Sequence, residues 1–286
     1  MKNTKLIFAA LLLAGSCWLY SSCQKEHMSL TQQSSSPSIR SASDEAYIDH
    51  QSSYIDGIVQ AVTWDNAGLL RDMNGLPDCA TVTYDTSGTV KTATIDFGST
   101  PCKTNGEEEY RQGILMISWT GKMMDSGTVK TITTQNYFVG DTPIAMHQFN
   151  LTKTLTNMGK NAGGNLHFAI VVTNATLTLD SGQQISWSAN RDREWVQGDT
   201  TTNSDDIFYT TGGSSGVDRN GEPFTVEITT AVRRNADCEW PVSGIKLITH
   251  GSHPARTLDY GDGTCDNFAT VTVNGQTTTI LIDKDE

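Results

Sequence analysis

The chain has 286 residues, enough for one large domain or two smaller ones with buried cores. Hydrophobic residues make up 37% and charged residues 18%, and Ser, Thr, Gly and Asn are abundant, a balance typical of strands joined by polar turns. The formal net charge is -12 and the 20 lysines and arginines are scattered, which argues against a nucleic-acid partner because phosphate binding needs a concentrated basic surface.

The first 22 residues have the features of an export signal. Two lysines precede the apolar run 6–14, which is too short to span a bilayer but matches the core of a secretory signal. Small residues then precede a cysteine twice, at Cys17 and at Cys23. We predict a lipoprotein signal peptide over residues 1–22 and lipidation of Cys23, because apolar residues continue beyond Cys17 and polar residues directly follow Cys23. Lipidation of Cys17 and secretion without a lipid are the alternatives.

A lipid anchor predicts both a location and a partner. Acyl chains hold a protein on a membrane without a spanning helix, and no later segment of the sequence is apolar for long enough to span one. The anchor therefore implies the cell envelope as the location and the membrane as a partner, and we expect that membrane to be the outer one.

The composition changes twice after the anchor. Residues 23–43 are rich in Ser, Gln and Thr and have too little apolar surface to offset the entropy of ordering, so they predict a disordered tether. Residues 44–75 predict a short helical segment with Ser43 as its N-cap. The apolar residues near one face of this helix are Ile48, Ile55, Ile58, Val59 and Val62.

Residues 76–286 predict a single all-β domain. Segment 224–232 alternates apolar and polar residues, and Asn274-Gly275 between two Thr-rich runs is a strong hairpin signal. No long helix intervenes, so the short links imply an antiparallel β-meander, either a wide curled sheet or a partly closed barrel. Similar patterns predict strands at 80–84, 89–97, 111–119, 128–138, 144–156, 165–173, 175–179, 184–196, 206–211, 242–249 and 255–260.

Four cysteines remain beyond the signal region, and an even number in an exported chain predicts two disulfides. Three connectivities are open, and a local parallel favours one of them. Residues 95–102 and 258–265 both place an apolar residue, Asp, an aromatic residue and Gly before a cysteine. We therefore predict the pairs Cys79–Cys102 and Cys238–Cys265. A four-cysteine zinc site is the alternative, but the close Cys-x-x-Cys pairs of such sites are missing.

Several segments carry a resemblance to a known group of proteins. Residues 94–98, 126–133, 193–195 and 256–267 resemble a widespread group of uncharacterised envelope lipoproteins from Bacteroidota, and the resemblance extends from about residue 79 to 282. Its most specific part is the string Asp-Tyr-Gly-Asp-Gly-Thr-Cys-Asp-Asn. The resemblance implies an envelope lipoprotein of that phylum. It implies no activity, so no catalytic residue is carried over.

Three motifs raise the question of chemistry. Residues 212–216 match Gly-x-Ser-x-Gly, but a nucleophile elbow needs a strand-to-helix turn and strand patterns lie on both sides, so we favour a loop or a glycine-softened bend. His250 and His253 lack a third ligand at recognisable spacing, and we predict no metal there. Three aspartates form a weak calcium candidate, for which turn formation is the favoured alternative: Asp259, Asp262 and Asp266.

The predicted strand 184–196 carries four large side chains on one face. They are Trp187, Arg191, Arg193 and Trp195. If exposed, this row would make a platform for a sugar or a protein partner. We favour a cross-strand ladder, with the aromatic rings in the core and the arginines paired with carboxylates.

The sequence thus predicts a non-enzymatic binding or structural module of the envelope, with a glycan or an envelope protein as its partner. No phosphate loop, dinucleotide fingerprint or zincin motif occurs, and no cofactor is predicted. The alternative is a carbohydrate-active enzyme of the glycoside hydrolase type, or a glycan-binding protein. The enzyme would need two strand-borne carboxylates across a groove.

Overall fold

A computed structural model describes residues 36–63, 79–103, 109–198, 205–251 and 253–283. The predicted signal peptide, both candidate lipidation cysteines and most of the predicted tether lie outside these residues. Within the described ranges the chain forms one helix and 13 strands. The elements are α1 (Pro37–Thr63), β1 (Thr81–Asp85), β2 (Lys91–Asp96), β3 (Tyr110–Trp119), β4 (Val129–Gly140), β5 (His147–Lys160), β6 (Leu166–Thr178), β7 (Gln184–Gln197), β8 (Ile207–Val217), β9 (Pro223–Asn235), β10 (Pro241–His250), β11 (His253–Asp262), β12 (Phe268–Val273) and β13 (Gln276–Leu281). No described helix is both long enough and apolar enough to cross a membrane.

The 13 strands form one antiparallel sheet in which every strand pairs with its neighbours in the sequence. Short turns connect most of them, as expected where antiparallel strands follow one another directly. Among the described strands, β1 pairs only with β2 and β13 only with β12, so the sheet is open. This confirms the predicted all-β antiparallel meander with an N-terminal helix.

The sheet curls around α1. Tyr260 of β11 donates a hydrogen bond to Asp49 (3.2 Å), and Arg111 of β3 donates one to Gln51 (3.3 Å). These two helix residues are close neighbours, whereas β3 and β11 are eight strands apart, which is roughly 38 Å across a flat sheet. A flat sheet could not bring both strands to one turn of a helix. The contacts therefore confirm the wide curled sheet, and they explain why residues 42–51 are all buried.

The helix begins earlier than predicted. Its first residue is Pro37, and the backbone N–H of Ile39 donates to Oγ of Ser36 (3.4 Å), which makes Ser36 the N-cap. The predicted cap, Ser43, is fully buried inside the helix, so the tether boundary at residue 43 is wrong. Packing inside the sheet stabilises this polar first stretch, which has little helix-forming tendency of its own. The predicted segment beyond Thr63 lies outside the described residues.

The core lies between α1 and the inner face of the sheet. Phe224, Val226, Ile228 and Val232, which the alternation placed on one face of a strand, are all buried there. The five apolar helix residues predicted to share a face belong to the same hydrophobic cluster. Burial of a side chain of this size stabilises the fold by about 1.5–3 kcal/mol, so the helix and the sheet depend on each other.

Two strand predictions need correction. The segments predicted as separate strands, 165–173 and 175–179, form the single strand β6, which passes through a bulge where Asn174 has a φ of 51°. β8 extends to Val217, beyond its predicted end at residue 211. In both places, pairing with the adjacent strands maintains the strand where the local sequence signals a break.

Both predicted disulfides are confirmed. Cys79 is bonded to Cys102, and Cys238 to Cys265. The first closes the β1–β2 hairpin, and the second joins the β9–β10 connection to the segment between β11 and β12. Each closes a loop of more than 20 residues, which restricts the unfolded chain and favours the folded one.

Two nearby helix positions, one facing the sheet and one facing solvent, test how α1 packs inside the sheet. Ile55 is fully buried, so Ile55→Ala should lower the free energy of unfolding by about 2–5 kcal/mol. Gly57 is exposed and a methyl group there would meet open space, so Gly57→Ala should raise it by about 0.5–1 kcal/mol. Urea unfolding measures both. An unchanged free energy of unfolding in Ile55→Ala would contradict the packing of this helix face against the sheet.

Candidate functional site

The predicted Trp/Arg row does share one face of β7, but that face is covered by α1. The side chains of Trp187 and Trp195 are 7% and 8% exposed. Arg191 pairs with Asp49 (2.7 Å) and Glu45 of the helix, and Arg193 pairs with Asp56 (2.9 Å). The row is therefore not an exposed platform. The favoured interpretation, aromatic anchors with paired arginines, describes it, except that the carboxylates come from the helix.

The arginines belong to a larger set of ion pairs between α1 and the sheet, which we call the helix–sheet ion pairs. Lys246 of β10 is 0% exposed and contacts both Glu45 (2.7 Å) and Asp49. Lys153 of β5 contacts Asp56 (2.7 Å). Arg219 with Asp44 is a further pair between the helix and the sheet. Buried charges that are paired in this way fix the position of the helix, because moving it would leave them unpaired.

The pairing keeps the helix carboxylates ionised. Burial on its own would raise the pKa of Asp49, but Arg191 and Lys246 outweigh it and hold that pKa well below its usual range. Lys153 and Arg193 lower the pKa of Asp56 against the same effect of burial. Burial lowers the pKa of Lys153 to about 8 even though Asp56 opposes the shift. Neither aspartate has the raised pKa that a general acid requires.

A pocket of about 390 Å³ lies beside the C-terminal half of α1 and the ends of β8 and β9, and we call it the Arg234 pocket. Asp56 and Gln60 of the helix line one side, and Arg193, Phe208 and Arg234 line the other. Its volume falls within the range of small-molecule binding sites, which is roughly 300–1,000 Å³. Two smaller cavities of about 40 and 80 Å³ lie along the same helix, so the Arg234 pocket is better suited in size to hold a ligand than either of them.

Arg234 gives the pocket its electrostatic character. Its Nη2 donates to the backbone oxygen of Glu239 (2.7 Å), while its buried Nη1 has no hydrogen-bond partner among the described residues. Burial and the nearby Arg193 lower the pKa of Arg234 to about 10. A guanidinium that is half-buried, close to a second cation and incompletely hydrogen-bonded is a suitable partner for an anion.

The two histidines have a carboxylate neighbour that the sequence did not indicate. Glu222 lies against His250 and His253, and these three form the one group of metal-ligand type found among the described residues. Asp259, Asp262 and Asp266 instead each accept a hydrogen bond from the backbone N–H two residues later, at 2.9, 3.1 and 3.1 Å. These are turn-forming bonds, in line with the favoured alternative to calcium.

The Gly-x-Ser-x-Gly segment lies within β8 and not at a strand-to-helix turn. Gly212 has a φ of 102°, and a Cβ there would collide with the backbone of β7. The glycines therefore allow β7 and β8 to approach closely around a bulge. The segment is a glycine-softened strand, and it lacks the geometry of a nucleophile elbow.

The residues that sequence reasoning missed are Glu222, Arg234 and the carboxylates of α1. Asn220-Gly221 signals a hairpin and so places Glu222 at the start of a strand, but only the β9–β10 register brings that strand end to His250. Arg234 carries no local signal beyond its charge.

Comparison with known proteins gives no further assignment, since no protein-family model, curated protein or solved structure matches this chain. The resemblance to Bacteroidota lipoproteins therefore stays a prediction.

The helix–sheet ion pairs predict a specific response to acid. Because the native pKa of Asp49 is depressed, its contribution to stability is present above the ordinary pKa of 3.8 and is lost as the pH falls through the lower native value. Asp49→Asn should lower the free energy of unfolding by about 3–5 kcal/mol at pH 7, and this difference should shrink below about pH 4. Urea unfolding between pH 7 and pH 2 measures it, with Asp237→Asn at an exposed site as the control. Parallel acid profiles for wild type and Asp49→Asn would contradict the assignment.

Proposed function

We propose that the protein is an exported lipoprotein of the cell envelope whose folded domain is a non-enzymatic binding module. The ligand is a small molecule or glycan end that carries a carboxylate, and it binds in the Arg234 pocket. The observation that carries this proposal is a half-buried, incompletely hydrogen-bonded guanidinium beside a second arginine in a cavity of about 390 Å³.

Two independent features support export. The apolar run 6–14 with its following cysteines has the pattern of a lipoprotein signal, and the domain carries two disulfides. Disulfides of this kind persist in the periplasm and at cell surfaces, where the environment is oxidising. The outer membrane and the Bacteroidota origin rest on the sequence resemblance.

The chemistry of the pocket supports a carboxylate ligand. The chain as a whole is acidic, with a net charge of -12, so two arginines lining one cavity form a local exception. A planar guanidinium binds a carboxylate through charge-assisted hydrogen bonds, and two arginines that line the pocket have a nitrogen without a hydrogen-bond partner among the described residues, Nη1 of Arg234 and Nε of Arg193. Asp56, which also lines the cavity, is already paired with Lys153 and Arg193 and so opposes the ligand less than a free carboxylate would.

The alternative is a carbohydrate-active enzyme. Glycoside hydrolysis needs one carboxyl group with a raised pKa beside a second, ionised one. Asp49 and Asp56 are both held ionised by cations of the sheet. A binding module therefore fits the site better, and an acidic sugar is a ligand that both hypotheses share.

The anchor is tested by two cysteine variants in a host bacterium that processes lipoproteins. With a clickable fatty acid in the medium, the wild-type chain should become labelled and appear in the membrane fraction. Cys23→Ser should lose the label, whereas the matched Cys17→Ser should keep it. The opposite result would assign the anchor to Cys17, and an unlabelled wild type would contradict lipidation.

The ligand is tested with matched sugars on the chain from Gln24 onward, which retains the whole of α1. Glucuronate should bind and glucose should not, because the two differ in the carboxylate. Arg234→Gln should weaken glucuronate binding about tenfold or more, the effect of losing one charge-assisted hydrogen bond. Isothermal titration calorimetry measures the affinity.

The adjacent Arg233→Gln is the control, since neighbouring strand residues point to opposite faces. It should leave glucuronate binding unchanged. Succinate tests whether a carboxylate without a sugar ring is sufficient, which would favour a peptide or metabolite over a glycan. Failure of both acids to bind, or equal binding of glucose, would contradict the proposal.

A further inference from the structure

Two neighbouring hairpin turns bring a carboxylate and two imidazoles together at one end of the sheet. Glu222 closes the β8–β9 turn, while His250 ends β10 and His253 begins β11. The register pairs His250 with Phe224 on one side and with His253 on the other. A hydrogen bond from Gly251 N–H to the carbonyl of Pro223 (2.9 Å) joins the two turns. Three strand ends therefore hold these side chains in place.

Gly251 allows the carboxylate to reach the histidines. Its φ is 49°, and a Cβ at this position would lie 2.9 Å from Oε2 of Glu222. Any larger residue would push the carboxylate away from the turn. Glycine at position 251 therefore leaves the space that Oε2 of Glu222 occupies beside the two imidazole rings.

The spacing of the three atoms matches a metal site. Oε2 of Glu222 lies 3.5 Å from Nδ1 of His250 and 3.2 Å from Nε2 of His253, and one ligand atom from each of the three residues lies within 4.8 Å of the other two. Tetrahedral zinc with bonds of 2.0–2.2 Å separates its ligand atoms by about 3.3 Å. Oε2 and Nδ1 are buried, and neither has an aligned hydrogen bond within the described part of the chain. Close polar atoms without hydrogen bonds are the arrangement that a shared cation explains.

Asp218 supplies the support that such a site requires. Its Oδ2 lies 3.0 Å from Nε2 of His250, the ring nitrogen opposite to the one that faces Glu222, at ion-pair distance but without an aligned hydrogen bond. The backbone N–H groups of Asn220 (2.9 Å) and Glu222 (2.7 Å) hold its other oxygen. A negative charge this close to Nε2 favours the tautomer that carries its proton there, which leaves the lone pair of Nδ1 for a metal.

We propose that Glu222, His250 and His253 bind a Zn²⁺ ion, with the fourth position open to water or to a ligand atom. Two nitrogens and one carboxylate oxygen suit zinc and related late transition metals, whereas calcium and magnesium prefer oxygen alone. His250 is 3% exposed and fixes the inner side, while His253 and Glu222 are 37% and 41% exposed, which gives the ion a route in. The site is distinct from the Arg234 pocket and does not depend on its ligand.

The test is zinc binding to the untagged chain from Gln24 onward after removal of metals with a chelator. Calorimetry should show one Zn²⁺ per chain. His253→Ala should weaken this binding about 100-fold or more, and Asp218→Asn about 10- to 100-fold. The control is His167→Ala, because His167 is also a part-exposed histidine in contact with an aspartate, Asp192, at 2.8 Å. It should leave zinc binding unchanged.

A second readout reports the coordination directly. Co²⁺ in the same chain should give the intense visible absorption of a four-coordinate ion, and Glu222→Gln should abolish it. His253 and Glu222 are part exposed, so both variants should keep the circular dichroism of the wild type. No stoichiometric Zn²⁺ in the wild type would overturn the proposal and leave simple histidine–carboxylate ion pairs. Equal binding by wild type and His253→Ala would overturn it as well.

Discussion

Asp49 lies between Arg191 of β7, Lys246 of β10 and Tyr260 of β11, and the arrangement of the domain depends on these contacts. A charge in the interior is tolerated only when it is paired and hydrogen-bonded. If α1 rotated or moved by one turn, Asp49 would lose all three partners at once. The contacts therefore fix both the rotation and the depth of the helix, and with it the curvature of the strands that surround it.

The apolar and the charged contacts have different roles. Ile48, Ile55 and Val59 give the helix its favourable burial, which scales with the apolar area removed from water. A buried ion pair contributes little net stability compared with a well-packed apolar pair, because desolvation offsets the Coulomb attraction. What the ion pairs add is selectivity, since an apolar helix could bind inside the sheet in several rotations. Only one rotation pairs Asp49 and Asp56 with the cations of β5, β7 and β10.

The sequence was sufficient to predict those features whose signal lies within a short segment. Alternation over 224–232 identified a strand and its buried face, and two similar segments before Cys102 and Cys265 identified the disulfides. It was insufficient where partners are distant, because Asp49 lies 142 residues from Arg191 and 197 from Lys246. Charged residues on a short helix normally indicate a solvated face, so nothing local revealed that this helix is enclosed. For the same reason, the contact between Glu222 and His250 could not be predicted without the register of β9 and β10.

Enclosure of the helix also determines where chemistry can occur. The inner face of the sheet is covered by α1, and both candidate sites lie where strands end. Arg234 and Glu222 lie at opposite ends of β9, and a strand of this length separates them by roughly 40 Å. Sites this far apart without shared contacts are energetically independent to within a few tenths of a kcal/mol. A carboxylate at one end and a zinc ion at the other would therefore bind without competing, and the rigid strand pair β9–β10 would hold both sites in a fixed relation.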